Sequence, residues 1–136
     1  MRFKTLVGAE RTVSKCKKYL IDWSGSSRSK LQKSTKTFLK KYWEKHVVFE
    51  EFPIVGTRLS IDFYNANKKI AIEVQGRQHT EYVPFFHGEN KINYLNQLRR
   101  DSEKLKFCEI NDIKLIEIYE TDKVDKELFL KFGVEL

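Results

Sequence analysis

RLSIDFYNANKKIAIEVQGRQH, residues 58–79, decides how the rest of this chain is read. Leu59, Ile61 and Phe63 alternate with Ser60, Asp62 and Tyr64, and Ile70, Ile72 and Val74 alternate with Ala71, Glu73 and Gln75. Side chains along a strand point to opposite faces with period two, so each run predicts a strand with one apolar face and one polar face. Asn65-Ala66-Asn67-Lys68 between them has the chemistry of a hairpin turn. A loop closing at Asn67-Lys68 sets Phe63 opposite Ile72 and Ile61 opposite Val74, and sets Asp62 opposite Glu73. Opposed side chains in a sheet have Cβ atoms about 5 Å apart, and two like charges that close repel unless a cation lies between them. The pair therefore has two readings, solvated carboxylates on an exposed sheet face or ligands of a divalent metal.

Several neighbours favour the second reading. Gln75 shares a face with Glu73, Gly76 allows the chain to bend at the strand end, and Arg77, Gln78 and His79 follow at the rim. Residues 90–111 then predict an amphipathic helix with Tyr94, Leu98, Leu105 and Cys108 on its apolar stripe. Asp101 falls on that stripe between Leu98 and Leu105. A carboxylate on a buried seam is costly unless it is paired or binds a cation. Its partner is either an arginine such as Arg77 or Arg100, or the site that Asp62 and Glu73 begin.

The charge is placed unevenly. The chain of 136 residues carries a formal charge of +7, but residues 1–45 hold 13 Lys and Arg against three acidic residues, a balance of +10, and the remainder is at −3. Tyr19, Trp23, Tyr42 and Trp43 are interleaved with those bases, and Ser24, Ser26, Ser27, Ser34 and Thr35 supply small hydrogen-bond donors. Such a mixture suits phosphate backbones, and it suits a solvated surface as well. The predicted basic helix at 30–45 turns Leu31, Phe38, Leu39 and Tyr42 inward and carries Lys30, Lys33, Lys36 and Lys40.

The other predicted elements are a short helix at 10–21, a Ser/Gly linker at 22–29, and strands at 47–54, 58–65 and 69–75. A loop at 80–89, a strand at 114–119 and a last helix at 123–132 complete them. The order predicts an α/β fold: a three-strand meander, a crossover helix, and a fourth strand able to pair in parallel. No run reaches the eighteen apolar residues a membrane span requires, and the opening residues are too briefly apolar for a signal peptide. Cys16 and Cys108 are the only cysteines, with no C-x-x-C, which predicts a reduced, cytoplasmic protein.

The D-x10-E-x-Q spacing from Asp62 to Gln75 resembles the PD-(D/E)xK nuclease superfamily, with glutamine in the usual lysine position. More closely, residues 35–120 resemble relatives of the very-short-patch repair endonuclease and the phage and homing endonucleases with an E-D-x-H-D signature. The matching residues are Asp62, the Val74–His79 segment, Arg100-Asp101 and the strand from Ile113 to Ile118. The resemblance implies a restriction-endonuclease-like domain at 34–136 behind a basic N-terminal extension at 1–33, within one compact domain. It implies a DNA endonuclease using Mg²⁺, with Mn²⁺ as an alternative. Asp62, Glu73 and the Val74 carbonyl would hold the metal, and His79 would act as general base or acid. Asp101 would orient His79 or hold a metal-bound water, and Gln75 would position water or phosphate. Arg77, Arg99 and Arg100, with the lysines of the basic helix, would hold the DNA. A second copy or a partner protein is a further candidate partner.

Three departures support a different class of function. Gln75 carries no charge, the family's first-helix glutamate has no clear counterpart (Glu50 and Glu51 lie in a predicted strand), and the repair enzyme's zinc ligands are absent. A nucleic-acid-binding protein with an inactive or partner-completed site meets all three. A small toxin-like ribonuclease is a third reading. Phe85 and Phe86 are candidates either to stack on bases or to close a core, and His87 either to join the site or to lie on the surface.

Overall fold

A computed structural model describes residues 1–75 and 91–136. Arg77, His79, Phe85, Phe86 and His87, with the expected loop at 80–89, lie outside the described residues. The element order is β1 (Arg2–Lys4), β2 (Glu10–Thr12), a 3-10 turn (Cys16–Tyr19), α1 (Lys30–Trp43), β3 (Val48–Pro53), β4 (Ser60–Asn65), β5 (Ile70–Gln75), α2 (Lys91–Ile110), β6 (Lys114–Tyr119) and α3 (Lys126–Lys131). β3, β4, β5 and β6 form one mixed sheet in that order, the first three antiparallel and β6 parallel to β5. The chain is thus a mixed α/β fold with the expected meander, crossover helix and parallel fourth strand.

Both faces of the sheet are covered. On one, Leu39 and Trp43 of α1 and Leu128 and Phe129 of α3 pack on Val48, Phe63, Ile70, Ile72, Ile116 and Ile118. On the other, Phe107 and Cys108 of α2 and Phe3 and Val13 from the β1–β2 region pack on Phe49, Phe52, Ile61, Tyr64 and Ala71. Each large apolar side chain so enclosed stabilises the fold by about 2–3 kcal/mol relative to exposure. α1 begins where the Ser29 hydroxyl accepts from the Gln32 N–H at 3.1 Å. α3 begins later than expected because Asp125 caps it, accepting from the Leu128 N–H at 2.9 Å.

The predicted helix at 10–21 is overturned. Arg2, Phe3 and Lys4 pair with Thr12, Arg11 and Glu10 in a small antiparallel ladder, and only Cys16–Tyr19 coil, as one 3-10 turn. The Phe3 ring meets Phe52, Tyr64 and Phe107 at centroid distances of 5.7, 6.0 and 5.6 Å. The expected division at 33/34 falls inside α1, and what lies before it is packed onto the main core.

Sheet alternation is also broken at one place. Ile61 and Phe63 belong to opposite faces, not to one face as their spacing predicts. In β3, Phe49 and Phe52 share a face although three residues apart, and Glu51 between them has φ 53°. The β3–β4 register runs from Glu50↔Phe63 to Phe52↔Ile61, so Glu51 and Asp62 are neighbours at the break. A non-glycine residue in the left-handed region costs on the order of 1 kcal/mol. The strands change facing here without an added residue.

Candidate functional site

The β4–β5 hairpin has the register read from the sequence, Phe63 opposite Ile72, with Tyr64 opposite Ala71. The backbone ladder stops there. Beyond it the two carboxylates replace the missing ladder bonds: Glu73 Oε2 accepts from the Asp62 N–H at 2.8 Å, and Asp62 Oδ2 accepts from the Val74 N–H at 2.8 Å. Each acid is held by the other's strand. This locks both groups side by side where the hairpin opens.

Electrostatics make the pair tense. Burial, then the Glu73 charge and to a lesser extent Glu51, push the Asp62 pKa up from 3.8 to about 7, opposed by the Val74 N–H bond and the Lys104 charge. A carboxylate beside another in a poorly solvated place holds its proton because ionising both costs Coulomb energy. Glu73 is buried, and its Oε1 is in contact with the Lys104 ammonium of α2. The neighbouring Cys108 thiol is pushed up to about 12 by burial and then by Glu73, so it stays protonated.

Lys104 was not legible as part of the site. The expected seam ran through Leu105, which is exposed. The observed inner stripe runs Tyr94, Leu98, Asp101, Lys104 and Cys108, at offsets of three and four. A lysine three residues after Asp101 was the available signal. Asp101 is half-buried, and its charge helps to raise the Tyr119 pKa, after burial and the contact with Glu117. Tyr119 pairs with Gln75 at the end of the β5–β6 ladder. α2 therefore sets Lys104 on Glu73 and Asp101 one turn farther on, toward the strand ends where half-buried Gln75 sits. Arg99 and Arg100 are exposed on the same helix.

Asp62 and Val74 also line a cleft of about 700 Å³ whose far wall is the start of α1, with Arg28, Ser29 and Lys30, and whose rim includes Glu120. The basic helix does not act uniformly. Lys30 faces the cleft, and Lys40 is exposed outside its lining. Lys33 donates to the Gly25 carbonyl at 2.6 Å. Lys36, expected on the nucleic-acid face, is instead 1% exposed and pairs with Glu50 at 2.9 Å. The fully buried stripe of α1 is Gln32, Thr35, Lys36, Leu39 and Trp43; Leu39 is one of the residues expected inward, and the other three, Leu31, Phe38 and Tyr42, pack partly buried against the same core.

The donor chemistry fits a hard cation in part. Asp62 Oδ1 receives no hydrogen bond among the described residues, and Asp62 opens on the cleft. A cation there relieves the repulsion that keeps Asp62 protonated. Among the described residues, however, no three His, Cys, Asp or Glu side chains form a group that could hold a metal. Asp62 and Glu73 would supply two ligands, with the Val74 carbonyl adjoining them in sequence.

No family model matches the chain, and no solved structure matches it. Its similarities are to viral proteins. It is 43% identical over 79 residues to uncharacterized protein 094L of Frog virus 3 (isolate Goorha), covering 58% of this chain and 50% of that protein. It is 35% identical over 88 residues to uncharacterized protein 033L of Invertebrate iridescent virus 3, covering 65% of this chain and 45% of that one. Against uncharacterized protein 307L of Invertebrate iridescent virus 6 it is 40% identical over 65 residues, covering 48% and 32%. The chain thus spans half or less of the curated relatives it matches. Among the described residues, no helix is long and apolar enough to cross a membrane.

Proposed function

We propose that this chain is a restriction-endonuclease-like domain that hydrolyses DNA phosphodiesters with Mg²⁺ or Mn²⁺. The observation that carries this reading is the interlocked pair, Asp62 and Glu73 each bonded to the other strand's backbone, with Asp62 lining a cleft that Arg28 and Lys30 also line. A bound metal would polarise the scissile phosphate and acidify a water. Asp62 and Glu73 hold the cation, Gln75 positions the phosphate or water by hydrogen bonds, and Asp101 orients the groups at the strand ends. His79 is the general base or acid in this reading, since an unperturbed imidazole titrates near pH ~6.5 and serves either role. Lys30, Lys40, Arg77, Arg99 and Arg100 are the phosphate contacts. One site per chain nicks one strand, so a double-strand break uses two copies or a partner protein. A cytoplasmic setting suits two free cysteines.

The test is supercoiled plasmid incubated with Mg²⁺, with Mn²⁺ and with chelator. Wild type is expected to nick only with metal, and Asp62→Ala and Glu73→Ala to lose at least about a hundredfold in rate while still binding DNA. Equal cutting by wild type and Asp62→Ala rejects the assignment. The two-carboxylate donor set, with neutral Gln75 beside it, favours one second reading, a nucleic-acid-binding protein whose site is inactive or completed by a partner. That reading expects DNA retention without cutting and no metal uptake that depends on Glu73. Matched RNA and DNA substrates separate a ribonuclease from both.

A further inference from the structure

We propose that Lys104 is a built-in counter-ion of the carboxylate pair, occupying the place on Glu73 that a divalent metal takes and being displaced when the metal enters. The inference rests on the metal reading of Asp62 and Glu73. Glu73 has two oxygens, and both are engaged: Oε2 by the Asp62 N–H and Oε1 by the Lys104 ammonium. The first bond belongs to the hairpin's architecture. The ammonium is the only one of the two partners that a cation could replace without unmaking a strand. Its charge is also felt at Asp62, where it lowers a pKa that burial and Glu73 raise. One positive charge therefore touches Glu73 and acts more weakly, through space, on Asp62.

The side chain is suited to leaving. Lysine carries a compact point charge on a flexible four-carbon stem, unlike the planar fork of arginine. Lys104 is rooted on the half-buried face of α2 four residues before Cys108, so its backbone stays docked when its tip moves. Its side chain is 20% exposed against 5% for Glu73, so a route from solvent to the ammonium exists. In the metal-free protein the ammonium supplies the counter-charge that a buried carboxylate would otherwise lack. The consequence is an assembled site before metal arrives, at the cost of weaker metal binding.

Mn²⁺ titration by calorimetry tests this on the full chain. Lys104→Met is expected to bind Mn²⁺ about tenfold tighter than wild type, because a cation no longer competes for Glu73. Lys104→Arg keeps the charge and is expected to stay within about threefold of wild type. If Lys104→Met does not fold, the wild-type protein answers alone. Its Lys104 side-chain ammonium resonance, slowed in exchange by the contact with Glu73, is expected to shift and broaden on adding Mg²⁺. Mn²⁺ uptake by wild type with unchanged or weaker affinity in Lys104→Met, or a Lys104 resonance unmoved by saturating Mg²⁺, overturns the counter-ion role and leaves the metal site standing. Wild type with no uptake that depends on Glu73 removes the metal reading and this inference together.

Discussion

Among the described residues, two lysine–glutamate pairs sit on the central sheet, and they are built differently. At Lys36–Glu50 every charge is answered. The Lys36 ammonium reaches the Gly25 and Ser26 carbonyls at 3.3 Å each, the Ser27 hydroxyl at 3.4 Å and Glu50 at 2.9 Å. Glu50 also accepts from Ser27 at 2.8 Å and from Gln32 at 2.9 Å. At Lys104–Glu73 a second acid, Asp62, stands in the same place and holds its proton to about neutral pH. The first pair ties the Ser/Gly segment and α1 to β3. The second leaves an unbalanced acid facing a cleft. Burial of a charge does not single out a candidate site by itself; an acid in a cleft whose neighbours do not balance it is the better candidate.

Replacing each lysine by methionine breaks the comparison most sharply. Lys36→Met strands Glu50 and should lower stability by about 3–5 kcal/mol, the usual cost of removing one partner from a buried pair. Mg²⁺ should restore none of it, and adding Glu50→Leu should recover most. Lys104→Met should also lower the melting temperature in chelator, but Mn²⁺ should return it. Thermal unfolding with and without metal reads all of these. Metal rescue of Lys36→Met would erase the distinction between the pairs.

A smaller effect is expected from Asp62→Asn, and its sign depends on pH. The folded pKa of Asp62 lies near 7 against a reference of 3.8. Between these values the folded protein holds a proton that the unfolded chain has lost, so metal-free wild type loses stability as pH rises from about 4 to about 7. Asparagine keeps an acceptor for the Val74 N–H and removes the charge. The variant should therefore match wild type near pH 4 and exceed it by on the order of 2 kcal/mol above pH 7, discounted for coupling with Glu73. Denaturant midpoints across that range check the slope. With Mg²⁺ present the order should reverse, since only the aspartate gains a cation.

How much of this was legible in the sequence follows from what periodicity encodes. The alternation in 59–64 and 70–75 marked the two strands and the turn chemistry between them set the register, although alternation misplaced Ile61, which faces away from Phe63. Strand 114–119 and the α2 helix were equally readable from their apolar patterns. Glu10–Thr12 was not, since all three residues are exposed and its strand character comes only from pairing with Arg2–Lys4. Lys36 and Lys104 were misread or missed for one shared reason. Spacing tells which face a residue occupies but not what waits across from it, and here a half-buried Glu50 waits on β3 and a buried Glu73 on β5. The facing change at Glu51 was hidden too, because no glycine marks it.

The smallest expected effect concerns the basic wall. Lys30 lines the cleft opposite Asp62, whereas Lys40 is exposed on the same helix but outside that lining, and Lys36 is buried. If the cleft is where a phosphate backbone lies, Lys30→Ala should weaken DNA binding about two- to fivefold at low salt and reduce the slope of log affinity against log salt by about one. Lys40→Ala should change affinity by less and leave cleavage unaltered at saturating DNA. Fluorescence anisotropy over a salt series measures both. Equal losses at Lys30 and Lys40 would mean that the whole positive flank attracts DNA without directing it to the carboxylates, because a diffuse field is indifferent to which turn of α1 carries the charge.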